Sequence, residues 1–255
     1  MMDSGILPYV WVALAALAAG LVNALAGGGT LLSFPALVAV GVPPIVANVT
    51  NSVALCPGYL GGVLAQARDL RGQGRRLLLL VPAGAAGGVA GGLVLLSTGE
   101  RLFEALVPFL ILFATLILAL QVPLRHWVSK RLQRGAGKDD ENWAVLPIML
   151  SAVYGGYFGA GLGMVMLAAL GVTLNDTLTR INAIKQVLSL SINLAAVLYF
   201  VIAAEVRWSM AAVMAVAALI GGMAGGYLAS RIRQSSLRSL MVIAGCVLSG
   251  YYFLR

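Results

Sequence analysis

Charged side chains are absent from long stretches of this chain. Long runs such as 6–26, 77–96 and 210–228 contain no Asp, Glu, Lys or Arg. A run of about 20 such residues is long enough to cross the hydrocarbon core of a bilayer as an α-helix. The pattern predicts an all-α polytopic membrane protein whose ten apolar segments lie near 8–26, 30–41, 45–66, 76–97, 103–122, 144–160, 163–172, 177–204, 208–230 and 236–254.

A short glycine-rich sequence occurs twice in the chain. GGVAGG at 87–92 returns 134 residues later as GGMAGG at 221–226, and the same offset places Gly29 on Gly163. Internal duplication is typical of secondary transporters, whose substrate site lies where the repeats meet. We therefore predict a first repeat at 1–122, a basic linker at 123–142 and a second repeat at 143–255.

The second segment of each repeat is short and directly follows a cluster of glycines. A segment of about twelve residues reaches only about 18 Å as a helix, well below the ~30 Å of the hydrocarbon core. We predict that each repeat opens with a hairpin or broken helix whose turn lies within the membrane and is formed by Gly28 and Gly29 or by Gly161 and Gly163. The alternative is that these glycines only let helices pack closely.

The distribution of basic residues predicts the orientation. The chain has a net charge of +8, with 60% hydrophobic and only 10% charged residues. Its Lys and Arg residues concentrate after the third segment, in the linker and after the ninth segment, which is the positive-inside pattern rather than a nucleic-acid surface. With these loops in the cytoplasm, both termini lie outside it, and the two five-segment repeats are inverted relative to each other. No basic residue precedes the first segment, so we expect it to be retained rather than cleaved as a signal peptide.

Polar side chains interrupt the third and eighth segments near their beginnings. On a helix, the polar positions of the eighth segment share one face, which should point to the protein interior because lipid cannot satisfy amide groups. Asn51 aligns with Asn182 if one gap is allowed between the repeats. The polar positions are Asn48, Thr50 and Asn51 in the third segment and Asn182, Lys185, Gln186, Ser189 and Asn193 in the eighth.

Lys185 is the charged member of this set. It lies about eight residues into its segment, roughly 12 Å from the helix start. An ammonium group beside amides, hydroxyls and the N-termini of glycine-preceded helices is a suitable ligand for a small oxyanion. The alternative is that its side chain extends to the cytoplasmic interface and binds nothing.

The remaining chemistry-bearing residues argue against several function classes. All nine Asp and Glu residues fall in loops or at segment ends, which disfavours a carboxylate proton relay and a cation substrate. Asp176 is predicted to be the N-cap of the eighth segment. His126 is expected in a solvated loop, and Cys56 and Cys246 are expected to be small buried residues rather than a disulfide or metal pair. Nothing here predicts an enzyme, a metal or a cofactor.

The order of the motifs resembles the sulfite exporter TauE/SafE family. The resemblance covers essentially the whole chain and lies in GLVNALAGGG at 20–29, GVPPIVANVT at 41–50, NAIKQ at 182–186, Asn193 and VRW at 206–208. It implies a multi-pass transporter of the cell inner membrane for small sulfur-containing anions such as sulfite, thiosulfate and organosulfonates.

These observations together predict a secondary transporter, an exporter, that works by alternating access at the repeat interface. Its partners are a small anionic substrate and the lipid bilayer, and its oligomeric state is open. The alternatives are an anion channel, a transporter of small carboxylates, or a membrane assembly protein without transport activity.

Overall fold

The computed structural model describes residues 5–25, 28–133, 142–228 and 234–254, and this part of the chain is helical without strands. Its helices are α1 Leu7–Leu25, α2 Thr30–Ala39, α3 Pro44–Ala65, α4 Gly74–Thr98, α5 Glu100–Ala119, α6 Gln121–Gln133, α7 Asn142–Tyr157, α8 Leu162–Thr173, α9 Leu178–Ala203, α10 Trp208–Leu228 and α11 Gln234–Leu254. A short 3₁₀ turn, Ala67–Leu70, connects α3 to α4.

Ten of these helices coincide with the ten predicted apolar segments, so the all-α prediction is confirmed. Among the described residues, α4, α5 and α9 are long and apolar enough to cross a membrane by length and composition. Helices α2 and α8 have only 10 and 12 residues, as their segments predicted. The surface is apolar as well, with large side chains such as Leu116, Val216 and Ile243 more than half exposed. The chain is therefore a helical membrane protein.

Helix α6 was not predicted, because its sequence lies in the linker that we expected to be a polar loop. Val128 is fully buried on this helix and packs against Gly171 of α8. His126 consequently lies on a helix rather than in a loop, although its side chain is exposed as predicted.

The helices form two five-helix groups, α1–α5 and α7–α11, and the first helix of each group packs on the fourth helix of the other. Helix α1 packs most extensively on α10, and α4 on α7. Glycine allows this close approach: a Cβ atom on Gly221 would lie 2.0 Å from the carbonyl oxygen of Leu17, and one on Gly156 would lie 2.0 Å from that of Gly88. The two groups are therefore interlocked rather than side by side.

Helix starts in the two groups follow a constant spacing. The pairs α3 and α9, α4 and α10, and α5 and α11 each begin 134 residues apart. Helices α3 and α9 pack against each other, as do α5 and α11. The glycine-rich offset seen in the sequence thus extends to the boundaries of these helices.

The two cysteines are free, as predicted, but the prediction that both are buried is wrong. Cys56 is half-buried and Cys246 is exposed. Because Cys246 lies on α11 among exposed apolar neighbours such as Ile243 and Val247, its thiol belongs to the apolar outer surface.

Candidate functional site

Two contacts fix how α3 and α9 run past each other. The Asn182 amide donates a hydrogen bond to Gln66 Oε1 at 3.1 Å. Four residues further along α9, the side chain of Gln186 lies against Gly62, where a Cβ atom would be 2.8 Å from Nε2. Residues that increase in number along α9 therefore meet residues that decrease along α3, and the two helices are antiparallel.

Each helix carries a polar stripe, and this register separates the two along the helix axes. The stripe on α3 consists of Asn48, Thr50 and Asn51, and the stripe on α9 consists of Asn182, Lys185, Gln186, Ser189 and Asn193. Lys185 lies level with position 63 of α3, twelve residues from Asn51, which is roughly 18 Å at 1.5 Å per residue. Ser189 and Asn193 lie at levels between the two. The structure thus places all the predicted polar residues on one pair of contacting helices, but it does not bring Asn51 and Lys185 into one compact cluster.

The stripe on α3 is buried and partly bonded. Asn48 is 1% exposed, and its amide nitrogen donates to the carbonyl oxygen of Tyr157 at 2.9 Å. Thr50 Oγ1 accepts a hydrogen bond from the backbone amide of Arg207 at 3.1 Å. The side-chain oxygens of Asn48 and Asn51 have no hydrogen-bond partner among the described residues. Because Asn48 donates to a carbonyl, its amide orientation is fixed and its oxygen faces the other way.

The stripe on α9 combines buried hydroxyl and amide groups with one cation. Ser189 is 1% exposed and its hydroxyl has no partner in the described part of the chain; the same is true of the Asn193 side-chain oxygen. Lys185 is half-buried, and within the described residues it forms no hydrogen bond or ion pair. A buried polar group without a partner costs free energy, so such a set is expected where a ligand binds.

The side chain of Lys185 passes the beginning of α8. Its Cδ lies 4.0 Å from where a Cβ atom on Gly163 would be. In the first turn of α8, the amides of Leu162, Met164 and Val165 donate to carbonyls of the glycine turn, whereas no backbone carbonyl of the described residues accepts from Gly163 N–H. Helix α8 also lacks a side-chain cap. A free amide at a helix N-terminus beside a lysine side chain is a setting in which an anion can bind.

Both glycine turns lie against the end of α5. Gly28 and Gly161 have φ angles of +93° and +75°, which glycine adopts without strain. Gly28 packs on Leu118, and Gly161 packs on Ile117, with Cβ positions 3.5 Å from each side chain. Gly29 serves a different purpose: a Cβ atom there would lie 2.3 Å from the carbonyl oxygen of Ala19. The predicted turns therefore converge on one stretch of α5.

Asp176 is not the N-cap of α9, because that position belongs to Thr177, whose hydroxyl accepts from the amide of Arg180. The Asp176 carboxylate instead forms an ion pair with Arg76 and accepts a hydrogen bond from Gln73 at 2.7 Å. Burial alone would raise the pKa of this carboxyl. The hydrogen bonds from Gln73, the Thr177 amide and Arg76, together with the Arg180 charge, hold the pKa below its ordinary value.

A cavity of about 370 Å³ adjoins this carboxylate. It lies where the chain before α4 faces the loop between α8 and α9. Arg180 spans it, since its guanidinium also donates to the carbonyl oxygen of Arg71 at 2.9 Å. The lining residues are Gly72, Gln73, Arg75, Arg76, Asn175, Asp176 and Arg180.

Sequence reasoning missed Tyr157, Gln66 and Gln73. Tyr157 holds Asn48 through its carbonyl oxygen, and its own buried hydroxyl has no partner in the described residues. Its position in an apolar segment gave no signal. Gln66 and Gln73 flank the arginine-rich loop after α3, and an amide next to a membrane segment could have drawn attention to both.

Comparison with known proteins gives consistent matches along the chain. The family described as Sulfite exporter TauE/SafE matches residues 12–252. A probable membrane transporter protein of Haemophilus influenzae is 26% identical over 88% of this chain and 86% of its own length. The probable membrane transporter proteins YfcA of Escherichia coli K12 and ORF9 of Sinorhizobium sp are each 26% identical, over 92% and 96% of this chain and 85% and 91% of their own lengths. No solved structure matches the chain.

Proposed function

Since the chain belongs to the sulfite exporter TauE/SafE family, we propose that it is a secondary transporter that exports small sulfur-containing anions such as sulfite, thiosulfate or organosulfonates. Its relatives are named probable membrane transporters, and the helical membrane fold agrees with that class. That the substrate is a small anion is our inference from the charge of the site, and its sulfur chemistry is carried over from the family. The direction of transport is inferred from the membrane potential.

The proposed mechanism is alternating access between two inverted repeats, α1–α5 and α7–α11. The exchange of partners supports this arrangement, because α1 with α10 and α4 with α7 become equivalent pairs when the repeats are exchanged. The 134-residue spacing of helix starts needs no gap. In this register Asn48 corresponds to Asn182 and Asn51 to Lys185, which replaces the gapped alignment of Asn51 with Asn182.

The observation that carries the proposal is the position of the Lys185 side chain beside the N-terminus of α8. Among the described residues, the ammonium group has no carboxylate partner. A positive group in such surroundings needs an anion to offset its charge. Two hydrogen-bond donors lie near Lys185. One is the Gly163 N–H, and the other is the hydroxyl of Ser189, one helical turn further along α9, which has no partner among the described residues. Together they suit the oxygens of a small oxyanion rather than a cation.

The orientation and direction follow from charge. We place the arginine-rich chain before α4 and helix α6 on the cytoplasmic side of the cell inner membrane. Both termini then lie on the opposite side of that membrane. An inside-negative potential of 100 mV then favours anion exit by about 2.3 kcal/mol per charge. Because no carboxylate lies in the middle of a described helix, export needs no proton relay within the protein.

Transport by proteoliposomes tests the proposal. We expect wild-type protein to move radiolabelled thiosulfate with saturation and to exchange it for unlabelled thiosulfate or sulfite across the membrane. Lys185→Ala should abolish both activities while the protein stays folded. Arg101→Gln, which removes an exposed positive charge far from the site, is the matched control. Transport by Lys185→Ala at the wild-type rate would refute the assigned role of Lys185, and exchange of acetate but not thiosulfate would reassign the substrate to carboxylates.

A further inference from the structure

The Asp176 network joins the two five-helix groups at one end of the protein. Gln73 and Arg76 come from the chain around the start of α4, and they meet a carboxylate that lies 100 residues later, before α9. The side chains are enclosed, with Asp176 only 8% and Arg76 22% exposed. One carboxylate therefore joins two elements that belong to different five-helix groups.

The cavity beside this carboxylate has an excess of positive charge. Arg75, Arg76 and Arg180 line it, and Asp176 is its one acidic lining residue. Arg180 is oriented by two contacts, a 3.5 Å ion pair with Asp176 and a hydrogen bond to Arg71. Guanidinium groups bind carboxylates and other oxyanions with the same fork of N–H donors. A soluble oxyanion in the cavity can thus replace the carboxylate as their partner.

Polar side chains also follow Arg180 along α9, in the direction of the proposed transport site. Asn182, which is bonded to Gln66, comes two residues later, and Lys185 and Gln186 follow within the next turn. Polar groups therefore continue from the cavity to the lysine along the contact between α3 and α9.

We propose that this cavity is a second anion site, at the cytoplasmic mouth, where a small oxyanion competes with Asp176 for Arg76 and Arg180 and thereby loosens the contact between the two groups. The inference rests on the proposed anion transport and adds a separate binding step to it. The anion binds first among the arginines, the carboxylate loses its partners, and the path towards Lys185 opens.

Binding measurements on the full-length protein test the site. They use detergent-purified protein carrying Lys185→Ala, so that the proposed transport site is disabled, and titrate it with thiosulfate by calorimetry. We expect binding to persist in this background and to weaken about tenfold with Arg180→Gln, because a charge-assisted hydrogen-bonding partner is lost. Asp176→Asn should tighten binding by about the same factor, since it removes the competing carboxylate. Arg68→Gln, an exposed charge near the cavity but outside it, should change the affinity less than about twofold.

A second measurement follows the opening itself. A single cysteine replaces Ser189 in protein without Cys56 and Cys246, and its rate of reaction with a water-soluble maleimide is recorded. Thiosulfate should raise this rate when Asp176 is present, and Asp176→Asn should raise it without thiosulfate. This readout applies even if Arg180→Gln fails to fold.

Four results would overturn the proposal. The first is the complete loss of thiosulfate binding in Lys185→Ala alone, which would leave the transport site as the place of anion binding. The second is equal affinity for thiosulfate in the Arg180→Gln and Arg68→Gln variants. The third is a maleimide rate that changes neither with thiosulfate nor with Asp176→Asn. The fourth is binding to phosphatidylglycerol vesicles but not to thiosulfate, which would assign the cavity to a lipid headgroup.

Discussion

Asn51 and Lys185 occupy the same place in two helices that differ in charge. Each is the eighth residue of its helix, α3 or α9. Asn51 is 2% exposed and neutral, whereas Lys185 is half-buried and carries a positive charge. Equivalent helix positions therefore need not carry equivalent chemistry. In the proposed transport mechanism, one repeat supplies the charge that binds an anion, while the other supplies neutral polar groups along the same path.

The glycines that precede α2 and α8 differ in a parallel way. Gly29 is pressed against the backbone of α1, whereas Gly163 has open space around it apart from the stem of Lys185. The first position is therefore structural, and the second leaves its amide and the adjoining volume free for a ligand.

The proposed inversion of the two repeats predicts all-or-none labelling. With Cys56 and Cys246 replaced by serine, a single cysteine at Ser97 should react with a membrane-impermeant maleimide added outside intact cells. One at Ser129 of α6 should react only after the membrane is permeabilised, because the two positions lie on opposite sides. Reaction of both from the same side would refute the inverted arrangement.

Removing the charge difference between the two equivalent positions should produce the next largest effect. Lys185→Asn gives α9 the residue that α3 carries, and we expect thiosulfate transport to fall at least about thirtyfold because the charge is lost. Asn51→Ala removes only neutral hydrogen-bonding groups and should cost about fivefold. Proteoliposome flux at equal protein content measures both. Equal losses in the two variants would contradict the assignment of the anion to Lys185.

The same comparison predicts different stability for two alanine variants. Gly29→Ala should destabilise the protein by about 1–3 kcal/mol, because its Cβ atom would overlap the Ala19 carbonyl. Gly163→Ala should leave thermal stability nearly unchanged, since its Cβ has room. Thermal unfolding in detergent measures the difference, and a larger loss for Gly163→Ala would contradict the space available to a Cβ atom at Gly163.

Asp176 should give a pH-dependent effect on stability that is no larger, at one end of the molecule. Its folded-state pKa is lowered from 3.8, so its contribution to stability is complete above that value and is lost as the pH falls below it. Asp176→Asn should cost about 1–3 kcal/mol at pH 7 and should flatten the acid side of the stability profile. Unfolding followed from pH 7 down to pH 3 checks this. An unchanged profile in the variant would mean that another group controls the acid response.

Charge-free stretches and glycine clusters were enough to predict most helices. The short helices α2 and α8 were visible because each follows directly on glycines. Helix α6 was missed because its basic residues suggested a loop. Leu124, Val128 and Leu132 recur every four residues there, and this spacing marks the face that Val128 buries against α8.

The candidate site was predictable in composition but not in geometry. Polar residues are easily recognised within an apolar segment, so Asn51, Lys185 and Ser189 could be selected from the sequence. Their positions relative to one another along the helix axes depend on the register between α3 and α9. That register is set by the contact of the Gln186 side chain with Gly62. Tyr157 could not have been selected, because its contribution to Asn48 comes from a backbone carbonyl that every residue has.

The exchange of helices between the two groups also determines when the protein can assemble during synthesis. The main neighbour of α1 is α10, which begins about 200 residues later in the chain. Until α7 and α10 are inserted, the close-packing glycine surfaces of α4 and α1 have only lipid beside them. Contacts this distant in sequence form late. A chain that stops after α6 therefore leaves the glycine surfaces of α1 and α4 without the helices on which they pack in the folded protein.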